Sequence, residues 1–197
     1  MATTNNAELV GVAAPPVDGA IWIADKGATL PSDLRGDLGD AFKAFGYVSD
    51  DGVTLSEDSD SSEVSSWGGD TVRVIKTSYK ETAEFTPIEI NQTVLEQLYG
   101  SENVGTSTIS ATEGKKACKV IVSKHTAATL PDKTLVIKTC PADNMMVVYV
   151  ARAAQLTERG DASLNGSDPM GRQMTYTCKP DDEGVTITSY TYIDETA

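Results

Sequence analysis

The chain has 197 residues, and 40% of them are hydrophobic, which is enough for one domain of ordinary size with a substantial core. Its formal net charge of −13 repels nucleic-acid phosphates from most of the surface, so we do not expect tight DNA or RNA binding. No apolar run approaches the roughly 20 residues of a membrane helix, and the first residues lack the pattern of a signal peptide. We therefore expect a product of the cytosol that is not inserted into a membrane.

The first 18 residues have little periodicity and carry Pro15 and Pro16, whose fixed backbone angles favour an extended arm over a helix. We expect this arm to lie along a surface. The apolar run at 20–24 predicts a first strand. Helical spacing of apolar residues then predicts a short amphipathic helix over 34–45. The residues at this spacing are Leu34, Leu38, Ala41, Phe42 and Phe45.

An acidic, serine-rich segment over 55–70 is the most informative part of the chain. Just before it, Asp51-Gly52 predicts the turn of a short β-hairpin, because glycine accepts positive φ at little steric cost. The acidic segment offers too little apolar area to offset the entropy of ordering, so it predicts a mobile loop in an isolated subunit. Trp67 is the exception, since so large an apolar side chain docks either on its own domain or on a neighbour.

β-branched and aromatic residues fill 71–90, which predicts one very long, kinked strand or two strands joined near Ser78. Pro87 indicates a sheet edge or a bulge. Asn91 can cap a following helix, and Gly100 follows Tyr99 where a left-handed C-terminal cap would end it. The side chains of this helix that we expect to pack inward are Val94, Leu95 and Leu98.

From residue 106 onward the sequence is again mostly strand-like. The predicted strands cover 106–111, 117–122, 134–139, 145–151, 171–178 and 185–193. Between 155 and 169 the alternation fades, which predicts a strand that runs out into a loop. Many short strands with two modest helices predict a mainly β fold, either a sandwich or a barrel, with no internal repeat and no second domain.

The chain offers little that points to catalysis or to a bound metal. His125 is the only histidine, so a hydrolase relay or a zinc site would have to form without a second imidazole. The run EGKK at 113–116 lacks the spacing of a phosphate-binding loop and predicts a charged turn. The odd number and wide spacing of the cysteines predict reduced structural thiols at Cys118, Cys140 and Cys178.

A calcium site and a pair of catalytic carboxylates are the remaining alternatives. The acidic residues Asp50, Asp51, Glu57, Asp58 and Asp60 do not fit a calcium-loop pattern. Acidic residues are too plentiful for a carboxylate pair to be a signal of glycoside hydrolysis. We therefore expect no cofactor and no metal.

Three segments, in this order, carry a family resemblance: GAIWIADKGATLPSDL, AFKAFGYVSDDGVTLSED and WGGDTVRVIKTSYKETAEFTPIEINQTVLEQLYG. Together they resemble the major tail tube proteins of long, non-contractile bacteriophage tails. The similarity is strong from Gly19 to Gly100, and beyond Gly100 it lies in the strand-rich character alone.

The resemblance implies a β-sandwich or barrel-like tail tube fold with a flanking short α-helix, a long loop and an extended terminal arm. On this sequence it implies an N-terminal arm at 1–18 and a single domain at 19–197, with the acidic loop at 55–70. It also implies a structural virion protein, not an enzyme, that self-assembles into stacked hexameric rings. These rings form the hollow tube through which DNA is delivered to the host.

In this family, long strands of neighbouring subunits join into an inner barrel, and a loop and terminal arms reach adjoining rings. The implied loop contacts are Glu57, Asp58, Asp60, Glu63 and Trp67, and the implied inner-barrel or interface strand residues are Thr71, Arg73, Ile75, Thr77 and Tyr79. The implied partners are identical copies, a tape measure protein, and tail terminator and tip proteins. DNA would pass without specific binding, and the tail would be assembled in the host cytoplasm.

Three alternatives remain open from the residues. A tube subunit of a contractile or secretion-type injection machine would share the architecture. A monomeric β-sandwich binding module would need a concave aromatic patch, for which Trp22, Trp67 and the tyrosines are the candidates. A barrel enzyme would need a pocket that holds a titratable group with a perturbed pKa.

Overall fold

The computed structural model describes residues 10–17, 19–162 and 164–194. Within these residues the chain is mainly β, as predicted, with ten strands, one α-helix and one short 3-10 turn. No helix in this part of the chain is long and apolar enough to cross a membrane. The strands are β1 (Ile21–Asp25), β2 (Lys43–Ala44), β3 (Val48–Ser65), β4 (Thr71–Pro87), β5 (Val104–Ile109), β6 (Cys118–Ser123), β7 (Lys133–Ala142), β8 (Met145–Ala162), β9 (Arg172–Cys178) and β10 (Thr188–Ile193), and helix α1 is Gln92–Tyr99.

Eight of the strands form one antiparallel sheet in the order β2-β1-β7-β8-β9-β4-β3, with β10 added along β8. Strand β8 is long enough for three partners, because its first part pairs with β7 and β10 and its last part pairs with β9. Strands β5 and β6 form a separate hairpin. At the end of the order, β3 has β4 as its one sheet partner among the described residues.

The sheet curls until its two sides meet across the interior. Phe45 follows β2 at one side and Phe85 lies on β4 near the other, yet their ring centroids are 5.0 Å apart in an edge-to-face arrangement. Tyr176 on β9 stacks on Phe85 at 5.7 Å. Each such ring pair adds about 0.5–1.5 kcal/mol beyond its buried area. The curled sheet is therefore a barrel-like body whose apolar side chains face inward.

Both faces of the sheet bury apolar side chains. Helix α1 packs against the inner face, where Val94 and Leu98 join the cluster around Phe45 and Phe85. The outer face of β1, β7 and β8 is covered by the segment between β1 and β2. The outer cluster comprises Ala24, Leu34, Leu38, Phe42, Val136, Val148 and Val150.

The helix predicted over 34–45 is wrong. Gly39 has φ 89°, which lies outside the helical region, so the segment runs as irregular backbone that ends in β2. Lys138, buried on β7, donates a hydrogen bond from Nζ to the carbonyl oxygen of Gly36 at 2.5 Å and holds the segment on the sheet. The spacing of the apolar residues therefore reflects a covering loop that buries Leu34, Leu38 and Phe42 without a helix.

The short hairpin predicted at Asp51-Gly52 is also wrong. Gly52 does have a positive φ of 70°, but β3 continues through it. The register moves from Val48 opposite Pro87 to Val53 opposite Phe85, so extra β3 residues bulge out of the ladder. Gly52, a residue type that is typical of turns, therefore lies in a bulge of β3.

The remaining strand predictions hold with shifted ends. Of the two alternatives for 71–90, the structure has the single long strand, β4. Strand β8 runs to Ala162, further than predicted, and β10 begins later than predicted. The side chain of Asn91 caps α1 by accepting from the Val94 amide, as expected. The helix ends at Gly100 as expected, but the φ of 90° and ψ of 140° of this glycine are not those of a left-handed cap.

Residues 12–14 of the predicted N-terminal arm lie beside the end of β7. Ala14 forms a bridge with Cys140, and the Val12 amide donates to the Pro141 carbonyl oxygen at 3.0 Å. Residues 1–9 and Asp18 of that arm lie outside the described residues. The division into an arm and one domain therefore stays a prediction.

We predict that Asn91→Ala lowers the free energy of unfolding by about 1–2 kcal/mol, because one side chain makes three contacts. Its Oδ1 accepts from the Val94 amide at 2.9 Å, and its Nδ2 donates to the Phe45 carbonyl oxygen at 3.0 Å and to Glu89 at 3.3 Å. Urea denaturation measures the loss. Asn91→Ser retains only the cap, so its free energy of unfolding should lie between those of wild type and Asn91→Ala. An Asn91→Ala variant with the same free energy of unfolding as wild type would contradict this role.

Candidate functional site

A projecting hairpin, defined here as residues 57–81, leaves the body of the molecule where strand β9 ends. Strand β9 pairs with β4 only between Glu81 and Phe85. Among the residues that the structure describes, β4 is paired with β3 alone from Thr71 to Lys80. At about 3.3 Å per residue the hairpin extends roughly 30 Å beyond the sheet. No second layer from the described part of the chain covers this two-stranded element, whose residues are exposed.

The hairpin closes in a tight turn at its far end. The Ser66 amide donates to the Asp70 carbonyl oxygen at 2.8 Å, and the Gly69 amide donates to the Ser66 carbonyl oxygen at 3.0 Å. Gly69 has φ 91°, which favours glycine at this position. Trp67 lies at the tip of this turn.

The loop predicted over 55–70 is therefore wrong as secondary structure, because only 66–70 is a turn. The rest belongs to β3 and pairs residue by residue with β4. The β-branched residues of β4 supply a strong strand partner, and the serines opposite them bring no bulk that would prevent pairing. The mobility of this segment in an isolated subunit stays a prediction.

Every residue from 54 to 80 is solvent-exposed, including large apolar side chains. Trp67 has a relative exposure of 107%, so it does not dock on its own domain, which was one of the two alternatives from sequence. Monomeric proteins seldom leave such a concentration of apolar side chains in water unless it marks a contact surface. The other exposed apolar residues of the projecting hairpin are Val64, Val72, Val74, Ile75 and Tyr79.

A β-bulge separates the implied interface residues of β4 onto different faces of the hairpin. The register advances by two residues on β4 from Ser78 to Lys76 while it advances by one on β3, so Thr77 is the extra residue. Tyr79 therefore shares a face with Lys76, whose ammonium lies 3.8 Å from the centre of its ring. Arg73 and Ile75 lie on the opposite face.

The acidic residues that the resemblance implies as contacts all lie on β3 of the projecting hairpin. Asp60 accepts from the Ser78 hydroxyl at 2.9 Å, and Glu63 accepts from the Thr71 hydroxyl at 3.0 Å. Glu57 and Asp58 lie opposite Glu81 and Lys80 in the ladder. The structure thus brings Glu57, Asp58, Asp60 and Glu63 onto one strand, with Trp67 beyond its end.

Glu81 forms the root of the hairpin, where it meets the body. Its carboxylate accepts a hydrogen bond from the Thr186 hydroxyl. Burial, and secondarily the Glu81 charge, raise the pKa of the Cys178 thiol to about 12. Partial desolvation of the exposed Tyr79 side chain, and secondarily the same carboxylate, raise the pKa of the Tyr79 hydroxyl. Glu57 stands directly opposite Glu81, and such a like-charged pair does not stabilise the ladder.

The rest of the described chain offers no comparable candidate. Its residues include no group of three or more His, Cys, Asp or Glu side chains arranged to hold a metal ion. The His125 ring stacks on Tyr99 with the ring centroids 3.9 Å apart. The hairpin of β5 and β6 carries the exposed Lys115, Lys116 and Lys119 and packs beside α1.

A family model described as "Phage tail tube protein" matches residues 1–196. The chain belongs to the phage tail tube protein family. It is therefore a structural component of the virion tail and not an enzyme. For this tail tube protein the projecting hairpin, and not a pocket, is the candidate functional site.

Solved structures of low similarity also align over most of the chain. The tube-terminating cap of the anti-feeding prophage is 13% identical, with a TM-score of 0.42, over 97% of this chain and 99% of that one. The sheath/tube terminator of an extracellular contractile injection system is 12% identical, with a TM-score of 0.37, over 90% of this chain and 96% of that one. No curated protein matches this tail tube protein.

We predict that thiol reagents modify Cys118 rapidly and Cys178 only after unfolding. Cys118 is exposed on β6, whereas Cys178 is buried beneath the root of the hairpin with its pKa raised to about 12, so little reactive thiolate forms at pH 8. Iodoacetamide labelling followed by peptide mass spectrometry measures both rates, with urea-unfolded protein as the control. Equal rates in the folded protein would show that the root of the hairpin is open.

Proposed function

We propose that this tail tube protein forms the wall of a long, non-contractile phage tail, in which hexameric rings of identical copies stack into a hollow tube for the passage of DNA. The observation that supports this function is the projecting hairpin, which leaves the sheet with no further strand partner among the described residues. The number six follows the family resemblance.

An unsupported hairpin of this length favours assembly for a physical reason. Two strands without a third strand or a covering layer are marginally stable in water. Their outer edges also present backbone donors and acceptors that can pair with any other strand. Identical copies placed side by side around an axis would pair these edges and close a barrel, which leaves no edge open.

Contacts between rings are a second requirement of the tube. Trp67 at the tip of the projecting hairpin is the anchor that we propose for the next ring, because a buried tryptophan contributes more to an interface than most residues do. The N-terminal arm at 1–18 is the proposed second contact. The tape measure protein and the tail terminator and tip proteins are the further partners, met during assembly in the host cytoplasm.

The negative net charge of the chain is compatible with a tube through which DNA passes. Six copies of −13 each sum to −78 per ring, so a wall that shares this balance repels DNA and does not hold it. The copies repel one another as well, over a screening distance of about 8 Å at physiological salt. The interface must therefore supply enough buried area and enough local charge pairing to exceed that repulsion.

Electron microscopy of purified protein at rising concentration tests this function. We expect rings and then tubes, because assembly depends on contacts between copies and therefore on their concentration. A compact single particle at every concentration, with a concave aromatic patch that binds a ligand, would instead support a binding module.

We predict that Trp67→Ala shortens the tubes while it changes the free energy of unfolding by less than about 0.5 kcal/mol, because the side chain is exposed in the single chain. Tube length by microscopy and thermal unfolding of the subunit give the two readouts. Trp67→Phe, which retains an aromatic ring, serves as the matched control. An unfolding midpoint that drops sharply with tubes of normal length would make Trp67 a folding residue.

A further inference from the structure

The two open edges of the projecting hairpin differ in charge. Within the projecting hairpin, strand β3 carries four acidic residues and no basic one: Glu57, Asp58, Asp60 and Glu63. The unpaired part of β4, from Thr71 to Lys80, carries three basic residues and no acidic one: Arg73, Lys76 and Lys80. One edge of the same element is therefore acidic and the other is basic.

The charged side chains of the hairpin form no ion pair with another described residue. Asp58 lies directly opposite Lys80 in the ladder, yet the six ion pairs formed by the described residues include no residue of the projecting hairpin. Asp60 and Glu63 accept from hydroxyl groups, which leaves their charge without a counterion. Both edges therefore keep charge that a second strand can meet.

The register places both signs on both faces of the hairpin. Asp58 and Asp60 share one face with Lys80 and, across the bulge at Thr77, with Arg73. The opposite face holds Glu57 and Glu63 of β3, together with Lys76 of β4. On either face, a neighbouring strand at the acidic edge would therefore find carboxylates, and one at the basic edge would find cations.

We propose that the acidic β3 edge of one copy pairs with the basic β4 edge of a second copy in an antiparallel ladder. This inference rests on the proposed ring, and it adds which edges meet and what selects them. Rotation about an axis parallel to the hairpin leaves the direction of each strand unchanged, so β3 of one copy runs opposite to β4 of the next. The contact joins two different surfaces, and repetition of such a contact gives a ring where the rotation from copy to copy closes.

The competing arrangements of the edges put like charges together. Two β3 edges of the hairpin would bring four carboxylates against four, and two β4 edges would bring three cations against three. Like charges directly opposite in a sheet are destabilising, whereas opposite charges stabilise the pair. Charge thus selects the one order that continues around the ring, and it disfavours paired dimers that would end assembly.

Reciprocal charge reversal on one face tests the pairing at low ionic strength, where exposed charges are least screened. On the face that holds Asp58 and Asp60, Arg73→Glu/Lys80→Glu makes both edges of the hairpin acidic. On the same face, Asp58→Lys/Asp60→Lys makes both edges basic. Each variant alone should need about a tenfold higher concentration to form rings. An equimolar mixture should restore ring formation, because the two variants then alternate around a ring with an even number of copies.

Two further variants separate edge pairing from other effects of charge. Lys116→Glu/Lys119→Glu on the β5 and β6 hairpin changes the net charge as much as Arg73→Glu/Lys80→Glu does, and should assemble like wild type. A variant with all four changes in the projecting hairpin has reversed but complementary edges and should also assemble. Thermal unfolding of each subunit checks that the body still folds.

The outcomes distinguish this pairing from the proposed function itself. If wild type forms tubes but the two double variants assemble as well as wild type, or their mixture assembles no better than either alone, the edge pairing is wrong and the tube stands. If wild-type protein forms no rings at any concentration, the proposed function fails and the pairing fails with it.

Discussion

The backbone hydrogen-bonding groups at the two edges of the projecting hairpin are the constraint on which the rest of the structure depends. A strand presents N–H and C=O groups on both sides, and each side must meet either water or another strand. In the body, antiparallel neighbours satisfy both sides of β4 and β9. In the projecting hairpin, described residues satisfy only one side of each strand, because β3 and β4 pair there with each other alone. The chain therefore presents its open edges where a neighbouring copy can reach them.

The core of the body contains no described residue of the projecting hairpin. Phe45, Phe85 and Tyr176 gather inside the curled sheet, and the segment before β2 covers the outer face, so the core is complete without the projecting hairpin. The projecting hairpin leaves a group of large apolar side chains in water, which includes Trp67 at its tip. A self-sufficient body with an incomplete extension is what a subunit needs if it is to fold alone and assemble later.

Sequence reasoning predicted the mainly β fold, the cap at Asn91 and the strand character of 71–90, because these signals are local, but it left open whether that segment is one strand or two. It failed for the segment over 55–65, where an acidic, serine-rich composition indicates a loop but the strand is imposed by β4 across the hairpin. It failed for 34–45 because a loop that covers a sheet can bury apolar residues at helical spacing. The charge difference between β3 and β4 is visible in the sequence. Only the register shows which charges share a face, and only the end of β9 at Cys178 shows which part of β4 is an open edge.

Hydrogen exchange of the backbone amides over 59–66, compared between the isolated subunit and the assembled protein, tests the central claim most directly. In the subunit, amides that point away from β4 face solvent and should exchange rapidly. In the assembly a neighbouring strand should protect those same amides, while the amides already bonded to β4 change less. Equal protection in the two states would show that the edge meets no strand from another copy, and the incomplete subunit would no longer explain assembly.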